Sequence, residues 1–344
     1  MIFRKLTGLF KIFINTYLTM INTKFNGPTN TVLLFTIAFF MLSIWATAQE
    51  PLWPEKTYYR YKDVKDQRVF YREAGDPNKP TILLLHGYPS SSHTYRELIP
   101  LLSGRYHIIA PDNLGSGFSS RPDPDVTTYT FDLLAEYLGS LIEELELEDY
   151  VIYMQDFGAP VGYRVILDKP EKLKALIIQN ANAYLEGMTL EKQAFFKSAN
   201  EDHSNDKVSE LNRYTGKDAI INYQYLRDVP GERKYTMSPD TWTHDLAFLQ
   251  TEKNRDIQVQ LFQDYYSNLM SYPKWQAYLQ KYKPPTLIVW GKNDPAFRVP
   301  GARAYLRDVP DAELNLIDAG HFAVEEKPVI IAKKIINFMN NLNE

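Results

Sequence analysis

The sequence predicts an α/β fold, a mostly parallel sheet flanked by helices, with a helical cap insertion. Three observations carry this. Short continuous apolar runs fit strands buried on both faces. Helical patterns alternate with those runs. The alternation then stops across residues 184–282 and resumes at Pro284.

In chain order, residues 68–73 (RVFYRE) are rich in aromatic and branched side chains and end at Gly75-Asp76-Pro77. Residues 81–85 (TILLL) are wholly apolar after the first, and residues 106–110, 150–154, 175–178 and 286–290 repeat that character. Residues 131–145 place Leu133, Leu134, Leu138, Leu141 and Ile142 at helical spacing. Residues 184–282 are polar and aromatic, with helix-like pieces such as 257–269 and breaks at Pro230-Gly231 and Ser238-Pro239. So long a segment does not fit a loop of a compact domain. It is expected to be a helical cap, with residues 52–183 and 283–344 forming the core.

The N-terminus is expected to lie outside the fold. Residues 31–45 (TVLLFTIAFFMLSIW) form an uncharged apolar run, preceded by Arg4, Lys5, Lys11 and Lys24 and followed by Ala46-Thr47-Ala48. Basic region, apolar region and small-x-small site together describe a signal peptide covering residues 1–48. The run is shorter than the ~20 residues of a spanning helix, and a retained N-terminal anchor is the alternative. Met20 would give a more typical signal-peptide start. The expectation is an exported protein, periplasmic or secreted, touching a membrane only through this segment if it is uncleaved.

A formal net charge of −4 gives no electrostatic footprint for nucleic acid. With no cysteine in the chain, disulfides, thiolate catalysis and cysteine metal sites are excluded. The 24 tyrosines and 18 phenylalanines fit aromatic packing and an aromatic pocket.

In an open parallel sheet, ligands bind beyond the carboxyl ends of the strands. After residues 150–154 comes Gln155-Asp156-Phe157-Gly158-Ala159, an acid at a strand-to-helix turn. This fits a nucleophile elbow with Asp156 at its apex; a plain helix-capping aspartate is the simpler reading. After residues 286–290 comes Gly291-Lys292-Asn293-Asp294, and after 314–317 comes Asp318-Ala319-Gly320-His321-Phe322. Nucleophile, acid and histidine therefore follow in the order of a hydrolase triad, each at a strand end. After residues 81–85 comes His86-Gly87-Tyr88-Pro89. The amides of Tyr88 and Phe157 are expected to form an oxyanion hole, and Gly87 to permit a strained turn. Gly115-Ser116-Gly117-Phe118-Ser119 looks like a serine elbow but follows an earlier strand, so it reads as a structural turn.

These motifs, HGYP at 86–89, DNLGSGFS at 112–119, QDFGA at 155–159, GKND at 291–294 and DAGHF at 318–322, resemble the epoxide hydrolase and haloalkane dehalogenase branch of the α/β-hydrolase superfamily. The resemblance spans residues 58–338. It implies the α/β-hydrolase fold, a small-molecule substrate, no metal or organic cofactor, and a covalent aspartyl-ester intermediate. Gln155 is similar to dehalogenases, but those place an indole donor where this chain has Phe157, and one class places Asn where it has Tyr88. Trp242 or Trp275 would have to hold a halide. Epoxide hydrolases protonate the opening oxygen from cap tyrosines; Tyr265-Tyr266-Ser267-Asn268 is similar to one such segment, with Tyr266 as the acid. Tyr266 also fits a core tyrosine. Tyr184, Trp242 and Tyr265 are the further pocket residues implied, although Tyr184 equally fits packing. The resemblance implies an epoxide hydrolase-like enzyme, with a dehalogenase using atypical halide donors as the alternative. A third possibility is a binding protein that keeps the fold without turnover.

Overall fold

The computed structural model describes residues 56–342. The expected signal peptide and its cleavage after Ala48 lie outside the described residues. Eight strands form one sheet: β1 (Tyr58–Val64), β2 (Gln67–Ala74), β3 (Thr81–Leu85), β4 (His107–Pro111), β5 (Tyr150–Gln155), β6 (Leu173–Gln179), β7 (Thr286–Gly291) and β8 (Glu313–Ile317). Their order is β1-β2-β4-β3-β5-β6-β7-β8. β1 and β2 pair antiparallel, as do β2 and β4, and every other pairing is parallel.

The central strands are apolar throughout because both faces are covered. Side chains alternate between faces along a strand. Leu83 and Leu85 of β3, Ile152 and Met154 of β5, and Ile288 and Trp290 of β7 enter one buried cluster. Ile82 and Leu84, Val151 and Tyr153, and Leu287 and Val289 enter another on the opposite face. Each such aliphatic side chain contributes ~1.5–3 kcal/mol by leaving water. β1 differs: YYRYKDV is exposed along most of its length at the sheet edge, and no apolar pattern announces it.

Helix α1 (Phe131–Glu144) starts at Thr130, whose side chain accepts the Leu133 N–H. Helix α2 (Gly158–Asp168) follows β5 directly and has no side-chain cap. Between β6 and β7 no strand occurs. That segment holds α3 (Leu190–Glu201), α4 (Asn205–Asn212), a π-helical turn at Ala219–Tyr225, α5 (Pro239–Phe248) and α6 (Glu252–Tyr282). Thr189, Ser204, Ser238 and Thr251 cap the four α-helices with side-chain oxygens, each satisfying a backbone N–H that would otherwise lack a partner. α6 runs through Pro273 and ends where Lys283 turns left-handed, φ 43°. The final helix is α7 (Pro328–Asn341). Among the described residues no helix is long and apolar enough to cross a membrane.

This topology gathers the carboxyl ends of six parallel strands, β3 to β8, on one edge. The parallel register aligns Leu85 with Met154, Gln155 with Gln179, and Gly291 with Ile317. The loops after these strands carry the residues of interest.

Candidate active site

Asp156 stands at the turn between β5 and α2 with φ 51°. The left-handed region costs a residue with a Cβ ~1–2 kcal/mol, so the surroundings must enforce it. They do so from both sides. The Ala159 N–H bonds to the Asp156 carbonyl at 3.1 Å, and the Tyr88 N–H donates to Asp156 Oδ1 at 2.7 Å. A Cβ on Gly87 would stand 2.4 Å from that same Oδ1 and 2.3 Å from the Asp156 Cβ. Gly87 is therefore required by the close approach of Asp156. It is not among the left-handed glycines, which corrects the expectation of a strained turn at this position. His86 holds the loop from behind. Its Nε2 accepts the Asn113 N–H at 3.0 Å, its Nδ1 faces the Gly87 carbonyl at 3.0 Å, and burial pushes its pKa down.

His321 joins the two acids. Its Nδ1 lies 2.6 Å from Asp294 Oδ2 and its Nε2 3.5 Å from Asp156 Oδ2. Asp294 is wholly buried and heavily hydrogen-bonded. Ala296 and Phe297 donate backbone N–H groups to its Oδ1 at 2.8 and 3.1 Å, and Asn180 Nδ2 donates to Oδ2 at 3.0 Å. Burial opposes charge on Asp294, but the His321 imidazolium and then Arg227 outweigh it and lower its pKa. Burial likewise opposes charge on His321. Asp294 first, then Asp156, overcome it and raise the imidazolium to about 10. Gln155 is fully buried with its amide 3.1 Å from His321 Nε2, and its Oε1 has no partner. Turned over, that amide would accept the imidazolium N–H.

A cavity of about 50 Å³ opens onto Asp156 and His321. Phe157, Phe196, Phe262, Phe297, Tyr88 and Tyr265 form most of its wall, and Lys192, Gln224 and Arg227 join Asp156 and His321 in the lining. Tyr265 stacks on Phe196 at 4.0 Å and Phe157 packs on Phe131 at 4.9 Å, so the apolar wall is tightly interlocked.

Residues 80–328 match the α/β hydrolase fold family. The chain belongs to that family. An uncharacterized hydrolase of Saccharomyces cerevisiae is 41% identical over 272 residues, 78% of this chain and 92% of its own. Haloalkane dehalogenase 2 of Mycobacterium tuberculosis is 28% identical over 307 residues, 86% of this chain and 99% of its own. Among solved structures, an epoxide hydrolase from Vigna radiata superposes with a TM-score of 0.66 at 20% identity, over 83% of this chain and 98% of that one. A haloalkane dehalogenase from Bradyrhizobium elkani does so with a TM-score of 0.66 at 21% identity, over 84% and 99%. The chain is thus an enzyme, a hydrolase whose relatives include haloalkane dehalogenases, and it shares its fold with an epoxide hydrolase.

The sequence-predicted residues of this α/β hydrolase divide by location. Asp156, Asp294, His321, Tyr88 and Phe157 converge, and Tyr265 lines the cavity. Tyr266 is not among the lining residues. It is half-buried at the edge of the core, because neighbouring residues on a helix point ~100° apart and α6 turns Phe262 and Tyr265 inward. Tyr184 is buried elsewhere, its hydroxyl donating to Asp308 Oδ2 at 2.6 Å. Trp242 packs beside Tyr225, and Trp275 stacks on Tyr163 at 4.8 Å. Neither indole lines the cavity. Ser116 is also outside it, in a turn held by Asp112, whose carboxylate accepts the Ser92 and Phe118 N–H groups. Residues that sequence reasoning passed over include Asn180, Asp228, Lys192 and Arg227. Asp228 accepts the His321 backbone N–H at 2.8 Å. Asn180 takes φ 41° at the end of β6, and Asn at a strand end is the only signal it offered.

Proposed function

We propose that this hydrolase acts through a covalent aspartyl ester on small apolar electrophiles, as an epoxide hydrolase-like enzyme. The observation that carries the reading is the division between the two Asp156 oxygens. Oδ1 is held by the Tyr88 N–H and Oδ2 faces His321 Nε2. Oδ2 attacks the electrophilic carbon, and Oδ1 becomes the ester carbonyl oxygen. His321, oriented by Asp294, then activates water to attack Cγ. The amides of Tyr88 and Phe157 hold the resulting oxyanion.

The charge on His321 gives the order of events. At rest, Asp294 and Asp156 keep the imidazolium protonated to about pH 10. A carboxylate needs no base to attack near neutral pH. Alkylation then removes the Asp156 charge, and with it one of the two anions holding the proton. His321 becomes a base only after the ester exists.

Haloalkane dehalogenation is the second reading, favoured by the Mycobacterium tuberculosis relative. Against it, Phe157 carries no donor and the indoles of Trp242 and Trp275 lie outside the cavity. The test is trapping. His321→Gln is expected to accept substrate, stall, and gain the mass of the alkyl group on the peptide carrying Asp156. Asp156→Ala gains nothing. In a single turnover in ¹⁸O water the new oxygen enters the Asp156 carboxylate. Label in the product instead, with no adduct on His321→Gln, overturns the mechanism; diol against halide release from matched substrates decides between the two readings. For the N-terminal segment, the composition of residues 1–48 supports export with a mature chain beginning at Gln49.

A further inference from the structure

The proposed reaction moves a negative charge. It leaves the Asp156 carboxylate as the ester forms and appears on the departing atom. Of the cap tyrosines and indoles expected as donors, Tyr265 alone lines the cavity, and burial pushes its hydroxyl well above the ordinary tyrosine pKa, which makes it a poor acid. Tyr266, Trp242 and Trp275 are outside the cavity, and the Tyr88 hydroxyl is already donated to the Tyr214 carbonyl at 2.9 Å. The cap contributes two cations to the lining, Lys192 and Arg227. Arg227 has a carboxylate partner, Asp294, at 3.5 Å. Lys192 has none among the described residues. Its ammonium lies over the rings of Phe195 and Phe196 at 4.8 and 4.9 Å, with Tyr214 at 5.7 Å.

We propose that Lys192 is the acid of this site: its ammonium meets the departing atom, giving a proton to an opening epoxide oxygen or a hydrogen bond to a departing halide. The inference rests on the covalent aspartyl reading. A structural lysine would be poorly placed here. It sits in the first turn of α3, its backbone N–H bonded to the Thr189 hydroxyl at 3.2 Å, at the helix end whose dipole disfavours cations. Burial, and then Arg227, pull its pKa down to about 8 against the opposing pull of Asp156. It is thus a stronger acid than a tyrosine at about 10. Once Asp156 is esterified that opposing pull is gone, and the negative charge the ammonium meets is the one growing on the leaving atom.

The protons balance. Asp156 Oδ2 bonds to carbon, the carbon–oxygen bond of the epoxide breaks, its electron pair stays on oxygen, and Lys192 protonates it. Lys192 is then neutral and His321 still an imidazolium. A proton passing from His321 to Lys192 through solvent makes the base needed for hydrolysis and restores the acid. Hydrolysis returns a proton to His321 and the charge to Asp156.

The experiment measures alkylation alone, as the rate of adduct formation in the His321→Gln background. Lys192→Met keeps length and removes charge; its melting temperature, expected unchanged or higher, verifies the fold. With an epoxide, Lys192→Met is expected to slow adduct formation ~10²-fold or more, and the parental rate to fall as pH rises through about 8 while the variant shows no such limb. Lys192→Arg, a far weaker acid, stays slow with epoxides but keeps most of the rate with a haloalkane. Parental adduct rates in Lys192→Met with both substrates overturn the inference and leave the aspartyl mechanism standing. An effect confined to KM for carboxylate-bearing substrates also overturns it. No adduct in the His321→Gln parent takes down both.

Discussion

Gly87→Ala tests whether the approach of the HGYP loop to Asp156, the proposed nucleophile, matters. The added Cβ would stand 2.4 Å from Asp156 Oδ1, 2.3 Å from its Cβ and 2.7 Å from its Cγ. Ordinary van der Waals contact begins near 3.4 Å, so loop and carboxylate must part by about 1 Å. The same separation breaks the 2.7 Å bond from the Tyr88 N–H, the one that, in the proposed mechanism, leaves Oδ2 free to attack. A displacement of that size costs on the order of 10²-fold in a reaction that depends on alignment. The assay is the rate of Asp156 adduct formation in the His321→Gln background, followed by intact mass. Gly139→Ala is the control: it lies inside α1 with nothing within 4 Å of a new Cβ, and it should leave the rate unchanged while adding ~0.4–1 kcal/mol of stability. A Gly87→Ala protein that melts like the parent and alkylates within threefold of it would refute the reasoning, because the carboxylate would have moved without consequence.

Further expectations concern pH, the cap and the N-terminus. The His321 imidazolium is raised from 6.5 to about 10 on folding, so its contribution to stability is fully present below pH 6.5 and is lost as pH rises through about 10. At ~1.4 kcal/mol per unit the ceiling is ~5 kcal/mol; melting curves from pH 6 to 10.5 should show a steeper alkaline loss for the parent than for His321→Gln, and equal slopes would contradict the raised value. Tyr266→Phe should leave both adduct formation and turnover within about twofold, since a hydroxyl outside the cavity gives no acid catalysis; a tenfold slowing would return Tyr266 to the site. Tyr184→Phe should cost ~1–3 kcal/mol through the unpaired Asp308 oxygen with no change in rate, read by denaturant titration beside steady-state kinetics. Intact mass of protein exported from a native-like host should correspond to a chain starting at Gln49, and a membrane-bound full-length species would favour the anchor.

The parts legible in the sequence are those where one residue's environment is decided by its own strand. A strand buried on both faces must be apolar throughout, so β3, β5, β6 and β7 stood out. The edge strand β1 carries YYRYKDV with most positions exposed, and its pairing partner across a turn leaves no pattern to detect. The meeting of Asp156, Asp294 and His321 was legible because a parallel sheet places strand ends together. The cap was not legible in the same way. Whether Tyr265 or Tyr266 faces the cavity depends on the rotation of α6, which its packing against α3 and the core decides. Lys192 lies in a stretch, LEKQAFFKSANE, that reads as a solvent-facing helix, and nothing local marks it as a cavity residue. Gly87 was noticed for the wrong reason: sequence suggested turn strain, whereas the requirement comes from Asp156, distant in the chain. Gln155 carried a family resemblance, but its contact with His321 depends on β5 and the loop after β8 meeting.

The charges also bear on why an aspartate, and not a serine, would serve at position 156. A serine nucleophile needs a neutral histidine at the start, to take its proton as it attacks. Here the histidine begins charged: Asp294 and Asp156 hold the imidazolium to about 10 against the penalty of burial. An anionic nucleophile tolerates that state and gains from it. The imidazolium, the Tyr88 N–H and the cations Lys192 and Arg227 all favour a carboxylate at the elbow before any substrate arrives. Replacing Asp156 by serine would strip one anion from the site and leave those cations facing a neutral hydroxyl. The residues around position 156 therefore favour a carboxylate there, which fits the proposed order of attack before base catalysis.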